Sequence, residues 1–195
     1  REFGYRVKLL AISKFDGELI DIRVHPAMIP EDNPMANVNG VLNAVRVCDD
    51  LMEENILIGH GAGSLPTGSA VVADIVEVAR DILSESKFRI SPQSFQSSEI
   101  KKVSMLNIDL IDSEYFLRFS VHDNPGVLSH ISGILGKHSI GIFSVIQKGR
   151  CDTGRGVPLI MMTHRANEKN IQIALKEIDE LDVICEKSNF IRVEN

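Results

Sequence analysis

Tryptophan is missing from this 195-residue chain, and aromatic side chains make up only 5% of it. That removes the stacking platforms on which single-stranded nucleic acid is held. Excess positive charge is missing too. The 21 Lys and Arg stand against 27 Asp and Glu, a formal net charge of −6, so neither nucleic acid nor an anionic membrane is expected as a partner. No apolar run approaches the roughly 20 residues that a membrane-spanning helix needs. Cysteine is scarce: Cys48, Cys151 and Cys185 are odd in number and widely spaced. They imply reduced thiols in a cytoplasmic protein, with no disulfide framework and no metal site. Arg1-Glu2-Phe3-Gly4-Tyr5 is no signal peptide and has no initiator Met, so a piece of a longer chain is expected. What remains is an ordinary globular composition, 44% hydrophobic and 25% charged, enough for one domain or two small ones.

The chain is organised around the stretch from Gly59 to Asp74. Asn55-Ile56-Leu57-Ile58 is apolar and suited to a strand. Gly59, Gly61 and Gly63 then remove side chains where the backbone turns sharply or something comes close. Pro66-Thr67 opens a helix, where a missing N–H costs nothing. Ala70, Val71, Ile75, Val78, Ala79 and Ile82 recur at helical spacing and define one apolar face, while Gly68, Ser69, Ala70 and Ala73 let the helix lie close to another surface. A glycine turn feeding a helix start suits an anion or a cofactor. A tight structural turn explains the same glycines. The stretch is not a dinucleotide fingerprint, because no βαβ unit with an acidic residue follows it.

Upstream, Arg6–Ser13 reads as a strand, Asp16-Gly17 as a hairpin turn, and Leu19–Pro26 as a half-buried strand by its alternation. Ala27 to Pro34 is expected to be a loop because of Pro30 and Pro34. Val41–Val47 and Ile56–Gly59 complete a run of antiparallel strands with no covering helix, which needs partners to bury it. His25, at a strand end, reads as a half-exposed histidine more readily than as a substrate contact. The serine- and glutamine-rich composition from Ser84 to Ser98 marks a connector.

The second half follows a βαββαβ order, the split-βαβ ferredoxin-like arrangement. Its strands are Glu114–Val121, Ile140–Gln147, Val157–Thr163 and Val183–Val193, the last broken at Ser188-Asn189. Val127–His138 forms one helix. A second is capped at Asn167 and shows an apolar face of Ile171, Ala174, Leu175 and Ile178. Helices cover one sheet face and leave the other bare, so pairing with another copy is expected. The turn Asp123-Asn124-Pro125-Gly126 presents backbone N–H groups at a helix start beside a carboxylate and an amide. That combination can hold an amino acid, and a capped turn without ligand remains the alternative.

Two motif sets carry a resemblance over nearly the whole chain. Gly4-Tyr5-Arg6-Val7-Lys8, His25-Pro26-Ala27-Met28-Ile29-Pro30, Pro34-Met35-Ala36-Asn37-Val38-Asn39-Gly40, Asn43-Ala44-Val45 and Gly61–Asp74 closely resemble the C-terminal part of the catalytic region of homoserine dehydrogenase. Residues from Tyr115 on, with Asp123-Asn124-Pro125-Gly126-Val127-Leu128, resemble an ACT regulatory domain. The resemblance implies an α+β chain. Residues 1–83 would be a remnant of the antiparallel or mixed sheet of the substrate domain with its return helix, 84–112 a linker, and 113–195 the ACT domain. It implies an enzyme of threonine, methionine and isoleucine biosynthesis that interconverts L-aspartate 4-semialdehyde and L-homoserine with NAD(P)H.

By the same resemblance, Gly61, Ala62 and Gly63 would lie against the nicotinamide nucleotide, and the helix from Pro66 would pack on the nucleotide-binding sheet. The family's glycine fingerprint, catalytic lysine and acidic substrate residues match no position here and are expected upstream of Arg1. No catalytic residue is therefore assigned, and the chain alone is expected to be inactive and to bind no NAD(P). The implied effector, threonine by pathway logic, would contact Asp123, Asn124, Gly126, Val127 and Leu128, then Ile142, Phe143 and Ser144. The family's turn often carries a basic residue where Asn124 stands. A homodimer or homotetramer is implied. A non-catalytic amino-acid-binding module and a purely structural oligomerisation module are the alternatives.

Overall fold

The computed structural model describes residues 3–84, 96–147 and 156–195. Ten strands and three helices follow in chain order among them. The first part holds β1 (Tyr5–Phe15), β2 (Leu19–Pro30), β3 (Leu42–Asp49), β4 (Glu53–His60) and α1 (Ser64–Leu83). The second holds β5 (Ser104–Met105), β6 (Asp112–Val121), α2 (Val127–Lys137), β7 (Ile142–Gln147), β8 (Val157–Thr163), β9 (Ala166–Asn167), α3 (Glu168–Asp179) and β10 (Ile184–Val193). The Ser-rich stretch 85–95, the loop residues 148–155 and Cys151 lie outside the described residues.

One compact unit comprises residues 1–36 and 103–195. Its main sheet runs β1-β2-β10-β6-β8-β7, with β5 beside β2 and β9 beside β6. The segment β10-β6-β8-β7 is the βαββαβ sheet the sequence predicts. Period-two alternation explains its core: Tyr115, Leu117, Phe119 and Val121 of β6 all turn to the helix side and are buried. Against them pack Val127, Ile131 and Leu135 of α2, and Ile171, Ala174, Leu175 and Ile178 of α3, four residues apart or less on one helical face. The opposite sheet face is not bare as expected. Met28, Met162 and Val193 form a second small cluster with Tyr5, Phe116 and Ile191, and the Phe3 ring meets Phe116 edge-on at 5.8 Å.

This sheet runs across the expected division 1–83, 84–112, 113–195, because the first two strands join the second half. β2 continues through Ala27-Met28-Ile29-Pro30 instead of ending in a loop at Pro26. Tyr5 to Leu9 pair with Pro30 to Pro26 on one edge, while Ala27 and Met28 pair in parallel with Arg192 and Val193 on the other. An extended proline costs a strand only its one missing donor. The hairpin β1–β2 therefore belongs with the ACT-like sheet. Part of the expected linker is ordered on it as well: Ser104 and Met105 pair with Leu19 and Ile20, and the Asn107 side chain accepts the Asp109 N–H at 3.0 Å. β10 is continuous through Ser188-Asn189, and its register shifts occur there and near Ile184.

The other compact unit, residues 37–102, is built differently. β3 and β4 form a two-stranded antiparallel ribbon. The Asp49 carboxylate closes its turn by accepting the Leu51 and Met52 N–H groups at 2.8 and 2.7 Å. These bonds hold the Asp49 carboxyl below its ordinary value. No residue of α1 is buried. Val71, Ile75, Val78 and Ile82, the apolar stripe read from the sequence, are 51–71% exposed. A two-stranded ribbon and an uncovered amphipathic helix have too little buried surface to be stable alone.

Candidate functional site

The glycine turn before α1 is shaped by its own backbone. The Gly61 N–H donates to the Val41 carbonyl at 3.1 Å. A Cβ on Gly61 would collide with the end of the Asn43 side chain, which would have to move aside. Gly63 is the N-cap of α1 at φ 134, a conformation closed to most side chains, and its carbonyl accepts the first helical bond from Thr67 at 3.1 Å. No side chain caps the helix, which leaves first-turn N–H groups free for solvent or an anion. Ala62 lies between the two glycines. The turn thus presents a nearly bare backbone edge backed by a helix N-terminus. Replacing Gly61 with Ala forces Asn43 into another rotamer and costs about 1 kcal/mol. Thermal unfolding should show the loss, and Asn43→Ala in the same chain should recover most of it.

The second predicted site begins where β6 ends. Asp123 and Asn124 are exposed, and the Asn124 N–H donates back to the His122 carbonyl at 2.9 Å. Gly126 is left-handed at φ 93 and caps α2 with no side-chain help. A Cβ on it would meet nothing within 4 Å, so the space beside it is open. Val127 is buried and Leu128 is 45% exposed. Ile142, Phe143 and Ser144 open β7, with a register shift between Ile142 and Ser144. Phe143 points outward with Val145 and Gln147 in the ordinary alternation of the strand, 69% exposed, with its ring edge-on to His164 at 5.7 Å. Sequence alternation alone gives no hint of the register shift.

The structure does not bring these two groups together within one chain. Val121, next to the turn, pairs with Val157, whereas Ile142 pairs with Thr163. Six residues of β8 separate those positions (163 − 157), about 20 Å of extended chain. His25 is half-buried at mid-strand, its Nδ1 3.0 Å from the Pro26 carbonyl, and it faces neither group.

A buried polar network under α3 was not legible in the sequence. The Glu168 carboxylate, 2% exposed, receives Arg192 Nε and Nη2 at 2.8 and 2.7 Å, the Tyr115 hydroxyl at 2.7 Å and Gln172 Nε2 at 2.8 Å. Burial alone pushes Glu168 upward, but these donors outweigh it and hold the carboxyl below its ordinary value. Burial and the carboxylate both raise the Tyr115 phenol, so it stays a donor. On the helix surface, Lys137 and His138 of α2 meet Glu177 of α3 at 2.7 and 2.8 Å. Lys137 first and His138 second lower the Glu177 carboxyl.

An open glycine cap ahead of α2, an exposed apolar edge strand and the β10-β6-β8-β7 order define an ACT-type regulatory fold, and residues 115–183 match the ACT domain family. Residues 1–76 match the homoserine dehydrogenase family. The chain is 40% identical over 194 residues to the homoserine dehydrogenase of Neisseria gonorrhoeae, covering 100% of this chain and 44% of that protein. To the homoserine dehydrogenase of Pseudomonas aeruginosa it is 38% identical over 191 residues, 98% of this chain and 44% of that one. The crystal structure of a homoserine dehydrogenase from Thiobacillus denitrificans superimposes with a TM-score of 0.87 at 39% identity, over the whole of this chain and 43% of that one. The chain is thus similar over nearly its whole length to homoserine dehydrogenases and spans less than half the length of the curated relatives it matches. Among the described residues no helix is long and apolar enough to cross a membrane.

Proposed function

We propose that this chain forms the C-terminal part of a cytoplasmic homoserine dehydrogenase, which interconverts L-aspartate 4-semialdehyde and L-homoserine. NAD(P)H supplies the hydride in that reaction. Here Gly61, Ala62 and Gly63 offer the nucleotide an edge with no side chain larger than the Ala62 methyl, and α1 presents its exposed stripe of Val71, Ile75, Val78 and Ile82 to the nucleotide-binding domain. The fully exposed face of α1 is the observation that carries this half of the reading. An amphipathic helix of this length with nothing buried is ordered by a partner surface. The purified 195-residue chain should not reduce the semialdehyde, because the sequence holds neither the glycine fingerprint nor the family's catalytic lysine. Measurable turnover by the chain alone would contradict this.

The ACT-type half serves as a sensor of a free amino acid, threonine by the logic of end-product control. The open space at Gly126 supports a ligand whose carboxylate approaches the backbone there, with Asp123 and the Asn124 amide oxygen facing its ammonium. Two copies complete the site. β7 is a sheet edge, and a two-fold pairing of β7 with its partner runs antiparallel. The start of one β7 then falls by the end of the other, and Gln147 at that end lies level with Leu159 and Phe119 near the turn. Ile142, Phe143 and Ser144 of one copy thereby reach Asp123 to Leu128 of the other. Gly126→Val fills the open space and strains a left-handed residue. It should abolish threonine binding measured by calorimetry, and binding unchanged in that variant would reject the turn as the site.

A further inference from the structure

Two distant parts of the fold meet on β10. Its start lies at the base of the Gly126 turn. Ile184 pairs with Val121, and the His122 N–H, one residue before Asp123, donates to the Val183 carbonyl at 2.9 Å. Its end lies on the β1–β2 hairpin. Arg192 and Val193 pair with Ala27 and Met28, and the Glu194 N–H donates to the Met28 carbonyl at 2.9 Å. Beyond Pro30 the hairpin runs on in sequence towards β3 and the Gly61 turn. The ladder from Asn189 to Val193 is regular, but two register shifts fall before it, between Ile184 and Glu186 and between Glu186 and Asn189. At the hairpin end sits a cluster of charges. Arg23 Nη2 lies 2.8 Å from Glu194 and Arg23 Nε 3.2 Å from Asp21, and Lys14 reaches Glu194 at 3.0 Å. The Arg23 and Glu194 side chains are only 6 and 11% exposed. Even so, Arg23 Nε and Nη1 and Glu194 Oε1 have no hydrogen-bond partner among the described residues. The charges attract at close range without being aligned to bond, and a buried cluster left so adds little stability.

We infer that β10 carries the state of the Gly126 turn to the β1–β2 hairpin, with the Arg23–Glu194 cluster as its joint. This rests on the turn being an amino-acid site and adds the route by which that site regulates. Each part of the strand suits one step. The irregular start can shift against β6, because a bulge bends its strand and leaves the pairing locally open. The regular stretch then passes the shift to Glu194 as one piece. The β2–β10 ladder is only two residue pairs long, so the charges, more than the backbone, decide whether the hairpin follows. The unaligned cluster gives the joint a second arrangement close in energy. A small movement of Glu194 brings its Oε1 into line with an Arg23 N–H without breaking the ion pair. Coupling between two sites needs such an element, one whose two arrangements both sites can bias.

The test uses the complete protein. L-threonine binding is followed by calorimetry, and its effect on homoserine oxidation is followed as NAD(P)H formed. Glu194→Gln keeps the size of the side chain and removes its charge. Lys14→Met is the milder change, on a side chain 60% exposed, and carries the test should the first variant unfold. Arg6→Met removes the Arg6–Glu31 pair of the same part of the fold and is the control. Melting temperatures close to the parent's confirm that each variant folds. Threonine is expected to change the rate of the parent and of Arg6→Met alike. Glu194→Gln binds threonine within about twofold of the parent, yet its rate response shrinks at least about threefold, and Lys14→Met shows the same in part. A merely structural role would lower stability and leave the response intact. The proposal is overturned if Glu194→Gln responds like the parent, if it loses threonine binding itself, or if Arg6→Met loses the response as well. A parent that binds threonine without any change of rate overturns the route alone. A parent that binds none overturns the sensor reading together with it.

Discussion

Arg192→Met lowers the stability of the protein by about 3 kcal/mol or more, the cost typical of removing one partner from a buried ion pair. The reason lies in what remains. Glu168 is 2% exposed, and without the guanidinium its carboxylate keeps Tyr115 and Gln172 as side-chain donors among the described residues. Glu168→Gln combined with Arg192→Met removes the stranded charge and should recover part of the loss, a non-additivity that a double-mutant cycle measures directly. Tyr115→Phe deletes one donor and costs about 1–2 kcal/mol. Urea unfolding reads all three.

The same network sets an acid limb of stability. Glu168 has a folded-state value below its ordinary 4.5, so its contribution is complete above about that pH and is lost as pH falls through the folded value. Tyr115 is shifted the other way, upward from 10.0. Its contribution is complete below that value and declines as pH rises beyond it. Glu168→Gln should flatten the acid limb between pH 5 and the acid transition (about one carboxylate's share). An unchanged limb would show that other carboxylates govern it.

Val145→Asp dissociates the proposed two-fold pair and with it removes threonine binding. Val145 lies at the centre of β7 and is 40% exposed. In an isologous pairing the residues near the axis face their own copies. The substitution therefore sets two carboxylates against each other where two valines met, and like charges directly opposite are destabilising across a strand pair. Self-association should weaken by about tenfold or more, as measured by sedimentation. Asp123 to Leu128 would be untouched, so loss of threonine binding in this variant would come through the missing partner strand alone. A variant that stays paired, or that binds threonine as a monomer, would place the whole site within one chain.

How far the sequence revealed this arrangement depended on the range of the interactions. The α3 face of Ile171, Ala174, Leu175 and Ile178 was readable because helical periodicity is local, and all four residues are buried. The same holds for the alternation of β6. The extent of β2 was not readable. Pro30 and Pro34 signal a break, yet pairing with β1 holds Pro30 in the strand. The joining of β2 to the second half was hidden for the same reason, since the parallel β2–β10 ladder joins residues about 165 apart (192 − 27). Of the candidate site, the left-handed Gly126 and the glycine turn at Gly61 were legible as local backbone demands. The Arg23 ion-pair cluster gathers charges from both ends of the chain, Lys14 and Glu194 among them, so it leaves no pattern in neighbouring residues.

The central claim is that the ACT-type half senses a free amino acid through a site built from two copies. Its most direct test is calorimetric titration with L-threonine, with L-serine and L-isoleucine as controls and the oligomeric mass measured at the same concentration by light scattering. The expected result is selective, saturable threonine binding by a dimer or larger assembly, lost in Gly126→Val and in Val145→Asp. A paired protein that binds none of the three at millimolar concentration would contradict it and leave the sheet edge a purely structural joint.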